Sequence, residues 1–171
     1  MIFTIGYEKL ENQQELIDIV DSIHNCVLID VRAVPFSRFS KSNSDNPKTS
    51  KSFSGKSLEK LFGDRYISRK DLGGLTPPSQ EAIESLAVYD SLDKNCILLC
   101  KEHNPGACHR HHDITYPRYP DAHHIFSEAV MLESDFDALV ELNDLDREPV
   151  CYIDELPDYC LAAVKESKLK R

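Results

Sequence analysis

The sequence predicts an α/β fold: an open, mostly parallel sheet in three layers, with helices on both faces. Three observations predict it. Cys26-Val27-Leu28-Ile29-Asp30-Val31 and Cys96-Ile97-Leu98-Leu99-Cys100 are short, nearly continuous apolar runs, as expected of strands covered on both sides in a parallel sheet. Segments with apolar residues at helical spacing alternate with such runs, the pattern of βαβ units. The 171 residues, 41% hydrophobic and 29% charged, suit one globular domain that buries its own core.

The elements follow in order. Ile2-Phe3-Thr4-Ile5-Gly6 is a β-branched and aromatic run ended by glycine, a first strand. From Asn12, the residues Leu16, Ile17, Val20 and Ile23 recur at helical spacing behind a polar start that can cap a helix of about three turns. The second strand is the Cys26 run. From Arg32 to Ser57 periodicity gives way to Ser, Lys and Asn, which reads as a long loop, basic and flexible over about 38–57. Ser57 caps a short helix through Leu58, Leu61 and Phe62, closed by Gly63. Tyr66-Ile67-Ser68 is a short strand leading to a turn at Leu72-Gly73-Gly74, and Ser79 to Leu92 forms one helix after Pro77-Pro78. Beyond the Cys96 strand come a Pro-Gly loop, a helix that begins near Cys108, and a last strand at Ala122-His123-His124-Ile125-Phe126. Residues 134–145 and 157–168 read as terminal helices.

Charge and cysteines narrow the function classes. The net charge of -9 argues against a surface that binds nucleic acid everywhere, yet residues 38–70 carry a net +6 and residues 121–160 a net -11. The basic stretch suits a solvated loop or a local clamp for a phosphate-bearing partner. No apolar run reaches the roughly 18 residues of a membrane span, and the N-terminus lacks the layout of a signal peptide. A cytoplasmic protein with no membrane partner is expected. The six cysteines, at 26, 96, 100, 108, 151 and 160, are scattered and read as reduced thiols. Packing explains Cys26, Cys96, Cys151 and Cys160, which leaves Cys100 and Cys108 for chemistry.

Ligands of open α/β sheets bind beyond the carboxyl ends of the strands, which gathers Tyr7, Asp30, Arg32, Glu102 and Cys108 on one edge. Asp30 and Arg32, two apart, leave the same face of their strand. They suit either a structural ion pair or a shared ligand, the guanidinium offering a fork for carboxylate or phosphate. Ser37 and Arg38 extend that surface. Cys108 in the first turn of a helix, beside Arg110, would favour a thiolate. It reads as a nucleophile or as a small buried residue where helix meets sheet. His109 is a base or donor, with Glu102 its orienting or proton-transferring partner. Cys100, His103, Cys108, His109, His111 and His112 offer soft ligands, but Cys-x7-Cys-His lacks the paired Cys-x2-Cys signature of structural zinc sites. No metal and no cofactor is expected, and His111 and His112 are assigned to the surface.

Taken together, Thr4-Ile5-Gly6-Tyr7-Glu8, Leu28-Ile29-Asp30-Val31-Arg32, Pro35, Ser37-Arg38, Phe53-Ser54, Leu72-Gly73-Gly74, Leu99-Cys100-Lys101-Glu102 and Cys108-His109-Arg110 resemble the family named domain of unknown function 488. The likeness spans about residues 3–126, and the ordered combination is far more specific than any single motif. It implies a Rossmann-like fold in which the Asp-Val-Arg and Cys-His-Arg motifs meet at one site. The chain departs from the family pattern in a longer segment between Ser37-Arg38 and Phe53-Ser54 and a shorter one after Gly74. Residues 127–171 lie outside the likeness, as an acidic helical extension of a single domain, 1–171.

The leading functional expectation is an enzyme acting on a phosphate-bearing nucleotide or nucleic acid. In it Arg32, Arg38 and Arg110, with Tyr7 and Ser37, hold the substrate, while Asp30, Glu102, Cys108 and His109 do the chemistry. Two alternatives stand beside it. One is a rhodanese-like sulfur transfer through the cysteine loop, and the other a non-catalytic module that binds nucleic acid or a partner through the basic segment.

Overall fold

In the computed structural model, residues 1–35, 46–73, 75–126 and 129–132 are described. The sheet has six strands: β1 (Ile2–Gly6), β2 (Cys26–Asp30), β3 (Tyr66–Ser68), β4 (Asn95–Cys100), β5 (His123–Phe126) and β6 (Ala129–Leu132). Their order is β3-β2-β4-β1-β5-β6, parallel throughout except for the antiparallel β5–β6 pair. The three-layer α/β architecture is the expected one. β6 is an addition: the sequence reading ends the sheet at β5 and starts a helical extension at residue 127. The predicted helices at 134–145 and 157–168 lie outside the described residues.

Two apolar layers sandwich the sheet. Helix α1 (Gln13–Ser22), which links β1 to β2, and α2 (Gly55–Phe62), which links β2 to β3, pack Leu16, Val20, Leu58 and Phe62 against Ile5, Leu28, Ile97 and Leu99. On the other face α3 (Gln80–Glu84), the Leu86 turn and the segment after β4 bury Ile83, Leu86, Cys108 and Ile114 against Val27, Ile29, Val31 and Leu98. Chain connections that run toward β3 use one face and those that run toward β5 the other, as a constant crossover hand requires. The connections leaving β2 and β4 diverge. The crevice between the carboxyl ends of those two strands is therefore the topological switch point where open sheets of this class bind ligands.

Local chemistry explains where the elements depart from expectation. Helix α2 is capped by Ser54, whose Oγ accepts the N–H of Ser57, so Ser57 lies inside the first turn rather than at the cap. Buried Phe53 before the cap and Leu58 within the helix share one core cluster, an arrangement of the hydrophobic-staple kind. The predicted helix from Ser79 to Leu92 is two short ones, α3 and α4 (Ala87–Ser91). At the break Ser85 Oγ donates to Ala82 O at 2.7 Å, and Arg69 Nη2 donates to the same carbonyl at 3.2 Å. Such capture of a carbonyl competes with the helical ladder. The described part of the basic segment is tied down, with Gln13 N donating to Ser50 O at 2.9 Å and Ser50 and Phe53 buried. Among the described residues no helix is long and apolar enough to cross a membrane.

Candidate active site

The loop that follows β4 starts against β1. Gly6 ends β1 where a Cβ would stand 1.7 Å from Glu102 O, so only glycine admits the loop this closely. Glu8 N donates to Lys101 O at 3.0 Å just beyond. Asn104 Oδ1 accepts the N–H of Gly106 at 2.9 Å and shapes the single 3-10 turn Pro105–Ala107. Cys108 is then extended (φ -134°, ψ 138°), and its carbonyl accepts from the N–H groups of His111 and His112. It precedes the helical turns rather than lying in the first one. After His109, the six residues Arg110–Thr115 are π-helical and run into the short α5 (Tyr116–Arg118). Such wide turns recur at functional sites.

Arg110 does not face a ligand. It is fully buried, and Nε donates to Thr4 Oγ1 at 3.2 Å, Nη1 to Glu102 O at 2.6 Å and Nη2 to His103 O at 3.0 Å. The guanidinium clamps the loop to β1 through carbonyls, and among the described residues it forms no ion pair. An expected substrate arginine is thus a structural one. His111, expected at the surface, is only 4% exposed, with its ring 5.7 Å from that of His124. His112 is exposed, as expected, and its ring Nε2 lies 2.6 Å from Gly106 O.

Three predicted residues, Glu102, Cys108 and His109, do gather, together with Cys100, to which the sequence reading assigns no role. Cys100 Sγ, Cys108 Sγ and His109 Nδ1 all lie within 4.8 Å of one another. His109 Nδ1 is 3.8 Å from each sulfur, and its Nε2 is 3.0 Å from Val31 O at the end of β2. The Cys100 thiol donates to Glu102 Oε2 at 3.0 Å. Cys108 is held below the usual thiol range by the neighbouring Cys100 thiol, against the opposing effect of burial and with help from His109 and the Arg110 charge. Cys100 moves the other way, raised by the Cys108 sulfur and by burial. The proton of the pair is thus favoured on Cys100 over Cys108. Burial tends to neutralise His109, but the Cys108 sulfur outweighs it and raises the imidazole. Glu102 is lowered despite burial, chiefly by the Cys100 thiol. Two sulfurs, an imidazole nitrogen and a carboxylate are also a donor set that a thiophilic cation could use; its compactness is hidden in sequence by the seven-residue gap.

The Asp30 group is separate. Arg32 donates from Nε to Asp30 Oδ1 at 2.7 Å and from Nη2 to Oδ2 at 2.5 Å, and Tyr66 Oη donates to Oδ2 at 2.7 Å. The guanidinium carbon stands 5.0 Å from the centre of the Tyr7 ring, which in turn stacks on Phe53 at 4.9 Å. These residues pack on the α1–α2 face, whereas Cys100 and Cys108 belong to the opposite layer. The expected single site is therefore two clusters, joined through the backbone by the His109–Val31 bond. Asp30 and Arg32 make the buried ion pair that was the structural option, and within that pair Nη1 of Arg32 has no hydrogen-bond partner among the described residues. Ser37 and Arg38 lie outside the described residues. A cleft lined by Ile2, Leu86, Tyr89, Cys96 and Tyr119 sits at the amino ends of β1 and β4, at the far edge from Cys100 and Cys108. The chain matches no family model, no curated protein and no solved structure, so the quoted motifs alone carry the resemblance to domain of unknown function 488.

Proposed function

We propose that this protein is a thiol-dependent sulfur-transfer enzyme, in which Cys108 takes a sulfane sulfur from a small donor and carries it as a persulfide. The observation that supports this best is the compact group of Cys108, Cys100 and His109, all within 4.8 Å of one another, at the β2–β4 switch point. A low-pKa thiolate beside a base is the usual form of an activated cysteine nucleophile. Cys108 is 2% exposed, which suits a donor of a few atoms, such as thiosulfate or a hydropolysulfide, better than a polymer. In the step, the Cys108 thiolate attacks the outer sulfur of the donor and forms a new S–S bond. The donor's own S–S bond breaks and its remainder leaves with the electron pair, as sulfite from thiosulfate or as hydrosulfide or a shorter polysulfide from a hydropolysulfide. His109, fixed by Val31 O, faces the sulfurs with Nδ1, where it can accept or return a proton during transfer.

The test is mass spectrometry of the protein after exposure to thiosulfate or a hydropolysulfide. The expected result is a gain of one sulfur atom on the peptide containing Cys108, labile to cyanide and absent in Cys108→Ser. A modification confined to Cys26 or Cys96, or none, overturns the reading. One observation favours a second reading, an enzyme for a phosphate-bearing nucleotide or nucleic acid: Nη1 of Arg32 is a buried donor still open to an anion. Equilibrium binding of a nucleotide or short oligonucleotide, lost in Arg32→Ala while Cys108 stays unmodified by sulfur donors, would put that reading first.

A further inference from the structure

We infer that Cys100 is a resolving thiol and Glu102 its base, so that the sulfur carried by Cys108 leaves as hydrosulfide rather than passing to an acceptor. The inference rests on the sulfur-transfer reading and adds the fate of the sulfur. It comes from the placement of the second cysteine. Cys100 is the last residue of β4 and Cys108 is the extended residue before the helical turns, and both are buried in the same layer. Their sulfurs lie within 4.8 Å of each other, and closing to the roughly 2.0 Å of a disulfide needs side-chain rather than domain movement. The Cys100 S–H is already engaged with Glu102 Oε2 at 3.0 Å, the arrangement in which a carboxylate takes the proton as a thiol attacks.

The step balances within the chain. Cys100 sulfur attacks Cys108 Sγ and a Cys100–Cys108 bond forms. The bond from Cys108 Sγ to the outer sulfur breaks, and that sulfur leaves with the electron pair as hydrosulfide. The Cys100 proton passes to Glu102 and from there to solvent. Two thiols are oxidised to a disulfide and one sulfane sulfur is reduced to sulfide. A dithiol reductant such as dithiothreitol returns the pair to its starting state.

A single-turnover experiment tests this. The reduced protein is freed of reductant and mixed with one equivalent of thiosulfate, whose leaving group is sulfite, so that sulfide reports only the resolving step. Released sulfide is measured by methylene blue formation, and Cys100–Cys108 linkage by non-reducing peptide mapping. The expected wild-type result is about one sulfide per chain with the disulfide in equal yield. Cys100→Ser stops the sequence at the Cys108 persulfide, read as thiocyanate on treatment with cyanide, and Cys100→Ala does the same should the serine variant fold poorly. Glu102→Gln slows sulfide release by about a hundredfold or more while persulfide accumulates, as loss of a general base requires. A wild-type persulfide that persists, with neither sulfide nor disulfide, overturns the resolving role and leaves the sulfur-transfer reading standing. Absence of persulfide on Cys108 in every variant overturns both.

Discussion

His109 Nε2 lies 3.0 Å from the carbonyl oxygen of Val31, and this bond ties the imidazole that follows Cys108 to the end of β2. A carbonyl only accepts, so Nε2 carries a proton and Nδ1 is the nitrogen that faces the two sulfurs. The ring tautomer of the thiol cluster is thus set by the backbone just beyond β2, and this bond couples the two halves of the sheet edge. Supports of this kind, one bond removed from the reacting atom, hold a ring in its working orientation.

That arrangement sets the pH dependence of Cys108. The thiolate is the reactive form, and its pKa is depressed in the folded protein. Reactivity is therefore full above the folded pKa and is lost as pH falls through it. Iodoacetamide labelling of the Cys108 peptide should be on its plateau at pH 7, where an ordinary thiol of pKa about 8.5 is mostly protonated. His109→Asn should move the fall upward in pH by removing one of the groups that favours the thiolate. A wild-type rate that still climbs about tenfold from pH 7 to pH 8 contradicts the assignment.

Asp30 and Arg32 belong to stability more than to chemistry. Their pair is buried and bidentate, with Tyr66 on the same carboxylate. Removing one member leaves the other charge uncompensated, so Asp30→Asn should lower unfolding free energy by about 3–5 kcal/mol. Tyr66→Phe removes one charge-assisted bond and should lose about 1.5–3 kcal/mol. Urea titration followed by circular dichroism measures both. If Asp30→Asn unfolds like wild type yet fails to form the Cys108 persulfide, the carboxylate acts in the reaction after all.

Arg110 gives the complementary case. Its three bonds hold Thr4 and the carbonyls of Glu102 and His103. Arg110→Met keeps much of the side-chain volume but strands two loop carbonyls, each worth about 1–3 kcal/mol when left unsatisfied in the interior. The loop positions Glu102, so the variant should also weaken the Cys100 contact and slow sulfide release more than persulfide formation. Equal slowing of both steps would show that Arg110 acts chiefly through its charge on Cys108.

Sheet parity explains how much of this was legible. The strands β1 to β5 were readable to within a residue, β2 and β4 most directly, because parallel strands buried on both faces leave continuous apolar runs. The site edge was readable as well, since Asp30 and Cys100 both end strands. Which face each side chain takes was not. Asp30 pairs with Leu99 in the β2–β4 register, so Cys100, one residue further, points to the opposite layer and draws Cys108 with it. Nothing local in either strand reports that register. The inward role of Arg110 was hidden for a similar reason: its partners are backbone oxygens, which leave no trace in residue type. The role of Cys100 had a signal, a cysteine at a strand end two residues before Glu102, and the contact between them closes on that spacing.

Gly6 offers the sharpest test of the architecture. It lies in ordinary extended backbone, with φ -109° and ψ 124°, so torsional freedom does not require glycine there. What requires it is the backbone of the loop after β4: an added Cβ would sit 1.7 Å from Glu102 O, 2.3 Å from Glu102 C and 2.8 Å from His103 Cα. None of these atoms is the end of a flexible side chain, and the same loop is fixed by Arg110 from the other side. Gly6→Ala must therefore push the loop away from β1, at a cost of about 3 kcal/mol or more, the upper end for overpacking. The displacement carries Glu102 off Cys100. Such a variant, if folded by circular dichroism, should still label at Cys108 but lose the pairing that protonates Cys100, and its disulfide yield should drop with its stability. A Gly6→Ala protein with wild-type stability and wild-type disulfide yield would mean that the loop does not lie against β1 in this way.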